Sequence, residues 1–315
     1  MEFRHSGIQA LRFVLVIVLV LVVCRSDADV KIEQIEYHGW KGSYRMSNGT
    51  VELVFVPQIG RIMRYAFIGG KNVLWENQAL FGKTVDLNNI GKEWTNFGGD
   101  KLWPAPQSRW NWPPNPVLDA GMHTVSIVEG SRLLVVGKPS PKDGIRFGRL
   151  IVMAPDGSGV TIHNTMSAVT RARPVSWSVW EVAQVDEPDR AVLPLDSRHF
   201  KAGYYVFKAN PPSKSQVTRK GRALYFERGK QRGAKIGGAS RQGWLAAEKD
   251  GIRFRVWAKY PLKGAYPDDG CAQEIWSNPD PLKYMELELL SPIVILRPDK
   301  AYTFETKWEL TRIQK

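Results

Sequence analysis

Cysteine is nearly absent: the 315-residue chain has two, Cys24 and Cys271. Cys24 falls inside an N-terminal apolar run, so the folded part holds one cysteine and no internal disulfide. Its stability must come from a core large enough to act unaided. Histidine is scarce too. His38, His123, His163 and His199 are scattered without zinc-ligand spacing, and neither a metal nor a cofactor is expected. No Walker-type or dinucleotide glycine motif occurs; "IGGKN" at 68–72 and "KIGGAS" at 235–240 read as turns. The chain has no Gly-x-Ser-x-Gly elbow from which a nucleophilic triad could be argued. Beyond the leader no segment sustains the i, i+3, i+4, i+7 spacing of a helix over three turns, which excludes a helical bundle.

The first residues carry Arg4, His5 and Arg12, then "FVLVIVLVLVVC" at 13–24, then "RSDADV". An apolar run that short does not span a bilayer as a helix, which needs roughly 20 residues. Positive charge, a short apolar stretch and small residues at Ser26 and Ala28 read as a secretory signal over residues 1–28, cleaved after Ala28, with an uncleaved anchor as the alternative. Cys24 raises the alternative of a lipid anchor, but valine precedes it where lipoprotein signals carry glycine or alanine. Residues 29–315 are expected to form a single domain in the periplasm or outside the cell. The net charge is +13. Export argues against nucleic acid as the reason for it. Nine Lys or Arg and one acid, Glu227, lie between Lys214 and Arg241. They read as a solvated hairpin face, with an acidic polysaccharide as the functional alternative.

Short apolar or alternating runs recur throughout. Examples are "VELVFV" at 51, "HTVSIV" at 123, "RLIVMA" at 149, "VSWSVWEVAQV" at 175, "IRFRVWAKY" at 252, "YMELELL" at 284 and "YTFETKWEL" at 302. Each is bounded by Gly, Pro, Asn or Asp and is rich in β-branched or aromatic residues. The chain is therefore all-β. So many antiparallel strands require two large sheets packed face to face, because one open sheet that wide leaves an apolar face wet.

"NFGGDKLWPAPQSRWNWPPNP" at 96–116 shows neither period. Its prolines exclude the middle of a sheet, so "WPAPQ" and "WPPNP" are stiff loops. Trp94, Trp103, Trp110 and Trp112 fall within 19 residues. Either they plug one end of the sandwich or they line a cleft. Indole faces suit the C–H faces of sugars, and Asp100, Lys101, Gln107, Arg109 and Asn111 offer partners for hydroxyl groups. Further on, Glu274 in "CAQEIWSNPD" lies on or beside a strand near Trp276. A carboxylate in aromatic surroundings can have a raised pKa and act as a general base. Glu286 and Glu288 share one sheet face by the two-residue period. Such a pair suits glycoside hydrolysis, but near Lys283 and Arg297 it reads more simply as structural.

"GCAQEIWSNPD" resembles the aldose 1-epimerase (galactose mutarotase) pattern, in which the base glutamate precedes a Pro-Asp pair as Glu274 precedes Pro279 and Asp280. "PIVILRPDKAYTFETKWEL" is similar to that family's closing strands, "VPQIGRIMRYAFIGGKNVLW" at 56–75 to its early ones, and "GSGVTIHNTMSAVTRARPVSWSVW" at 157–180 to its mid-chain pair. "FGGDKLWPAPQSRW" resembles a bacterial branch of the superfamily that lacks the usual histidines. The resemblance implies a β supersandwich with a sugar cleft on one face and Glu274 as base. It also exposes departures. Where the family has a ring-oxygen histidine this chain offers Trp180 and Glu181, and Asp100 stands for a second histidine. Lys101, Asp100, Glu181 and His123 are the alternatives for the proton donor, since ring opening needs an acid and a base together.

The expected partner is a sugar or polysaccharide, with acidic glycans included. Glu274 is the catalytic candidate; Asp100, Lys101, Trp103, Arg109, Trp110, Trp112, His123, Trp180, Glu181 and Trp276 are the binding candidates. Three classes stay open: a sugar-modifying enzyme, a glycan-binding module that lost its chemistry, and a structural envelope protein. Fold alone cannot choose among them.

Overall fold

In the computed structural model, residues 30–87, 93–169 and 173–314 are described. The expected leader at 1–28, with Cys24, lies outside them. Among the described residues no helix is long and apolar enough to cross a membrane.

Alternating sequence becomes alternating burial. In Ile145–Met153 and Val160–Ala168 every second side chain, from Ile145 through Phe147 and Arg149 to Met153 and from Val160 through Ile162 and Asn164 to Met166, turns inward, while those between lean toward solvent. Among the described residues twenty-one strands build two antiparallel sheets, as expected. The ten-stranded sheet runs from the hairpin Val217–Lys220/Ala223–Phe226 through Arg190–Pro194, Trp244–Lys249, Ile252–Ala258 and Ala301–Arg312 to Val160–Ala168 and the strands before it. The eleven-stranded sheet places Asp100–Ala105, Val175–Asp186, Tyr284–Leu290, Gln273–Ser277 and Ala234–Gly238 side by side. One apolar cluster joins the inner faces, with Phe254, Trp308 and Tyr65 at its centre; the Phe254 and Trp308 rings meet edge-on at 5.2 Å.

Two central strands break the alternation. All seven residues of Tyr284–Leu290 are buried, as are eight of the twelve in Val175–Asp186. Their second face is covered as well, and what covers it is the tryptophan-rich loop.

One local expectation changes. "KIGGAS" is not a turn: Ala234–Gly238 is a strand. Its glycines serve close approach, since a Cβ on Gly237 would meet Cys271 Sγ and one on Gly238 would meet Leu193. The stretch at 72–82 forms no long element; Leu74 and Glu76 make isolated bridges and Gln78–Leu80 is a single 3-10 turn. The stretch 209–221 contributes a 3-10 turn at Lys214–Gln216 and an edge strand at Val217–Lys220.

Candidate functional site

Register assembles the site. Trp103 lies opposite Trp180, and Lys101 opposite Val182. Trp180, Val182 and Gln184 lie opposite Leu290, Glu288 and Glu286. Glu288 and Glu286 lie opposite Glu274 and Trp276, and Trp276 opposite Lys235. Because facing residues in a ladder project from the same side, all of these occupy one face of the eleven-stranded sheet. The residues between them, Leu102, Val179, Ala183, Leu287, Leu289 and Ile275, belong to the core on the other side.

Above this face the loop is pinned by one carboxylate that its sequence does not advertise. Asp119 ends the short helix Pro116–Asp119, whose first turn is capped by the Asn115 side chain accepting from Val117 N at 3.0 Å. Asp119 Oδ1 accepts from Trp103 Nε1 at 2.7 Å and from Arg61 at 2.8 Å, and Oδ2 accepts from Trp94 Nε1 at 3.1 Å. The rings of Trp94, Trp110, Trp112 and Trp180 all pack edge-on around Trp103, at 5.2–6.2 Å. Covering one indole stabilises by about 4–6 kcal/mol, from an area of about 150–250 Å² and about 25 cal/mol per Å². Trp112 is the exception at 52% exposed. The aromatic cluster therefore both plugs and lines: Trp110 tucks its Nε1 onto Pro104 O at 2.8 Å, while its neighbours face a cavity.

That cavity has a volume of about 310 Å³. Its walls are Trp94, Trp103, Trp112, Trp180 and Trp276, and its polar lining is Lys235, Glu286, Glu288 and Tyr284 with the amides Gln107, Asn210 and Asn278. Lys235 Nζ bridges Glu288 Oε2 at 2.9 Å and Glu274 Oε2 at 2.6 Å. It also lies 4.8 Å from the Trp180 ring centre, while Trp180 Nε1 donates to Glu288 Oε2 at 2.8 Å. A second pair sits alongside. Lys101 Nζ, fully buried under the Trp103 ring at 4.7 Å, reaches Glu286 Oε1 at 3.2 Å, and Gln184 donates to the same oxygen at 3.0 Å.

Burial and crowding tune these groups. Burial raises Glu274 well above the usual carboxylate range, with Lys235 opposing and Glu288 and Asp268 adding to the rise. Glu288 is raised in the same way, by burial against the pull of Lys235. Burial alone would lower Lys235, but its two carboxylates outweigh that and raise it. Lys101 is lowered by burial, with Glu286 opposing. One ammonium shared by two buried carboxylates favours a proton held between Glu274 and Glu288 to higher pH than an ordinary carboxylate keeps one. The group can therefore donate and accept.

The structure sorts the sequence candidates. Trp103, Trp112, Trp180 and Trp276 line the cavity, and Lys101 lies directly beneath it. Trp110 buttresses its wall. Glu274 is on the correct face but is fully buried and touches the cavity through Lys235 and Glu288. Asp100 and Glu181 are corrected from cleft to core. Each is one residue out of phase with Lys101 and Trp180, so each points between the sheets. There Asp100 pairs with Arg149, and Glu181 accepts from Trp308 Nε1 at 3.0 Å and Asn164 at 3.2 Å. Burial raises Asp100 to about 7, against the pull of Arg149. Arg109 is exposed and donates to Ser176 O at 2.7 Å, away from the cavity lining. His123 is remote: its ring lies against Gly60 and Gly137, 6.0 Å from Phe55, and donates or accepts at Gly121 O over 2.9 Å. Burial pushes it down to about 4.

Glu286 and Glu288 are not structural partners of Lys283 and Arg297; they are the polar floor, paired with Lys101 and Lys235. Lys235 is the residue that sequence reasoning missed. It was hidden among nine basic residues, and the signal that marks it is its alternation with Ala234 and Ile236, which are both buried.

Residues 42–311 match the model of a domain of unknown function, DUF4380. The chain belongs to that family. No curated protein sequence matches this DUF4380 chain, whereas solved structures do. One is YeaD of Salmonella typhimurium, assigned as a mutarotase, with a TM-score of 0.51 over 90% of this chain and 97% of that one at 10% identity. Another is the GalM/aldose epimerase homologue of C. elegans, with a TM-score of 0.51 over 84% and 97% at 12% identity. At such identities the likeness is one of fold. The DUF4380 chain is a galactose mutarotase-like β-sandwich, as the resemblance in its sequence implied.

Proposed function

We propose that this protein is exported, binds a carbohydrate ring in the tryptophan-walled cavity and moves protons on it. The observation that carries the reading is the convergence of five indoles with Lys235, Glu286 and Glu288 on one sheet face. Flat apolar faces hold the C–H sides of a pyranose, and the carboxylates, ammonium and amides take its hydroxyls. A cavity of about 310 Å³ suits one ring or a short piece of a chain. Neighbours of the same fold, named for mutarotase and aldose epimerase, support a sugar as the ligand. Glu288, which reaches the cavity, exchanges protons with the substrate, and Glu274 behind Lys235 holds the proton that Glu288 gives up or takes.

A second reading has its own observation. Glu274, at the position of the family base, is fully buried and its carboxylate is taken by Lys235. On that reading the protein recognises a glycan without changing it.

Proton NMR exchange between the anomers of neutral and uronic monosaccharides separates the two. Interconversion faster than buffer, lost in Glu288→Gln with binding retained, is the expected result. Binding by calorimetry without interconversion establishes the second reading, and no binding of any sugar sinks both. The export step is tested by N-terminal sequencing of the mature protein, which should begin at Asp29; an intact Met1 or a lipidated Cys24 contradicts it.

A further inference from the structure

The outer face of the ten-stranded sheet carries aromatic and basic groups that the cavity does not use. Trp244 opens the strand Trp244–Lys249, and Trp257 lies directly opposite it on Ile252–Ala258. Their neighbours Leu245, Val256 and Ala258 are buried in the core, so the two-residue period turns both indoles outward, where they are half-buried. Gln242 fixes both rings. Trp244 Nε1 donates to its side-chain oxygen at 3.1 Å, and Trp257 Nε1 donates to its carbonyl at 2.9 Å. Lys307, opposite Trp257 on the next strand, sets its ammonium 5.4 Å from that ring. Two adjacent indoles held with their N–H groups satisfied leave rigid apolar faces in the open.

A trough runs past them. On one side a groove of about 830 Å³ is lined by Asp196, Arg198, Arg219, Arg222, Gln242 and Trp244 among others. On the other a groove of about 740 Å³ is bordered by Asp156, Arg255, Trp257, Lys307 and Glu309, and it shares Gln242 and Trp244 with the first. Charge is uneven along the trough. In the first groove the one carboxylate, Asp196, is taken by Arg198 at 2.9 and 2.7 Å and by the Arg241 amide at 3.2 Å. Arg219 and Arg222 have no carboxylate partner among the described residues. In the second, Arg255 pairs with Glu309 and Lys307 with Glu305 at 3.5 Å. Positive charge is thus uncompensated at one end, beside a rigid aromatic platform and acceptors.

We propose that this trough is a second binding site, for a segment of an acidic polysaccharide, with sugar rings on Trp244 and Trp257 and carboxylates on Arg219 and Arg222. The guanidinium fork matches a carboxylate two bonds at a time. Asp156, which borders the same groove as the indoles, accepts hydroxyl hydrogen bonds and repels closely spaced phosphates, which favours a glycan over a nucleic acid. The site stands apart from the cavity in both residues and sheet, and it holds whether or not the cavity is catalytic.

Affinity electrophoresis and calorimetry with polygalacturonate at about 25 mM and about 300 mM salt test this, because exposed ion pairs weaken as the Debye length shrinks. The wild type should bind at low salt and release at high salt. Arg219→Ala/Arg222→Ala should bind about tenfold more weakly with a shallower salt dependence, as should Trp244→Ala/Trp257→Ala, the scale on which interfacial Arg and Trp truncations act. Arg219 and Arg222 are exposed on an edge hairpin, so their variant keeps its fold and decides the matter if the tryptophan variant fails to fold. It should also keep monosaccharide binding in the cavity. Absence of polygalacturonate binding at low salt, unchanged binding in the arginine variant, or equal competition by an oligothymidylate each overturns the proposal.

Discussion

Replacing Lys235 by Met tests whether the floor of the cavity is a buried charge cluster. The lysine side chain is 13% exposed, and those of Glu274 and Glu288 are 0% and 1% exposed. Methionine keeps most of the length but leaves two carboxylates with no ammonium. Removing one member of a buried ion pair costs about 3–5 kcal/mol, because the remaining charge is uncompensated. The cost depends on pH in a defined direction. Both carboxylates already have raised folded-state pKa values through burial, and losing Lys235 raises them further. A group raised on folding binds more protons in the native than in the unfolded state. Its stabilising contribution is therefore full below the ordinary carboxylate range and lost as pH rises through the raised value. Urea denaturation followed by tryptophan fluorescence should show Lys235→Met destabilised by about 3–5 kcal/mol at about pH 8. Toward about pH 5 the penalty should shrink, with a slope near 1.4 kcal/mol per pH unit for each proton taken up. A penalty below about 1 kcal/mol at the higher pH, or one that does not change with pH, would refute the buried-cluster reasoning.

Other positions give independent checks. Gly98→Ala should destabilise by more than about 1 kcal/mol, because the residue has φ +93° and a Cβ there collides with the Trp75 carbonyl oxygen; an unchanged urea midpoint contradicts this. Asp100→Asn should flatten the pH dependence of stability between the ordinary carboxylate range and about 7, since burial raises the folded pKa of Asp100 to about 7 and its contribution is lost as pH rises through that value. Unchanged dependence in denaturant titrations across that window would place Asp100 outside the core. His123, pushed down to about 4 by burial, should stay neutral in ring NMR spectra at about pH 6 and lose stabilisation only as pH falls from its unfolded value through about 4.

Much of the fold was legible because period-two alternation is dense in the chain, as in "IRFRVWAKY" and "YTFETKWEL". The candidate cavity was legible where its residues carry bulk, as Trp103 and Trp180 do, and Glu274 drew notice through a resemblance to the epimerase pattern. It was illegible where a single step of phase decides. Lys101 and Asp100 are adjacent in the sequence, as are Trp180 and Glu181, yet strand pleating sends one of each pair to the cavity and the other to the core. "YMELELL" hid its role for a related reason. Its glutamates look solvent-facing until the tryptophan loop is known to cover that side. Asp119, the anchor of that loop, takes partners 16, 25 and 58 residues away in sequence, a distance no local pattern reports. "KIGGAS" misled because glycine pairs more often mark turns than the close approach of Cys271 and Leu193 to a strand.

A crystal structure grown with the monosaccharide of highest affinity would show whether the tryptophan-walled cavity holds a sugar ring. A pyranose ring should lie between Trp103, Trp180 and Trp276, with hydroxyls within hydrogen-bond distance of Glu288 and Lys235. A sugar bound elsewhere while this cavity stays closed to it, or a ring that leaves Glu288 and Lys235 untouched, would rule this cavity out as the place where a sugar ring exchanges protons.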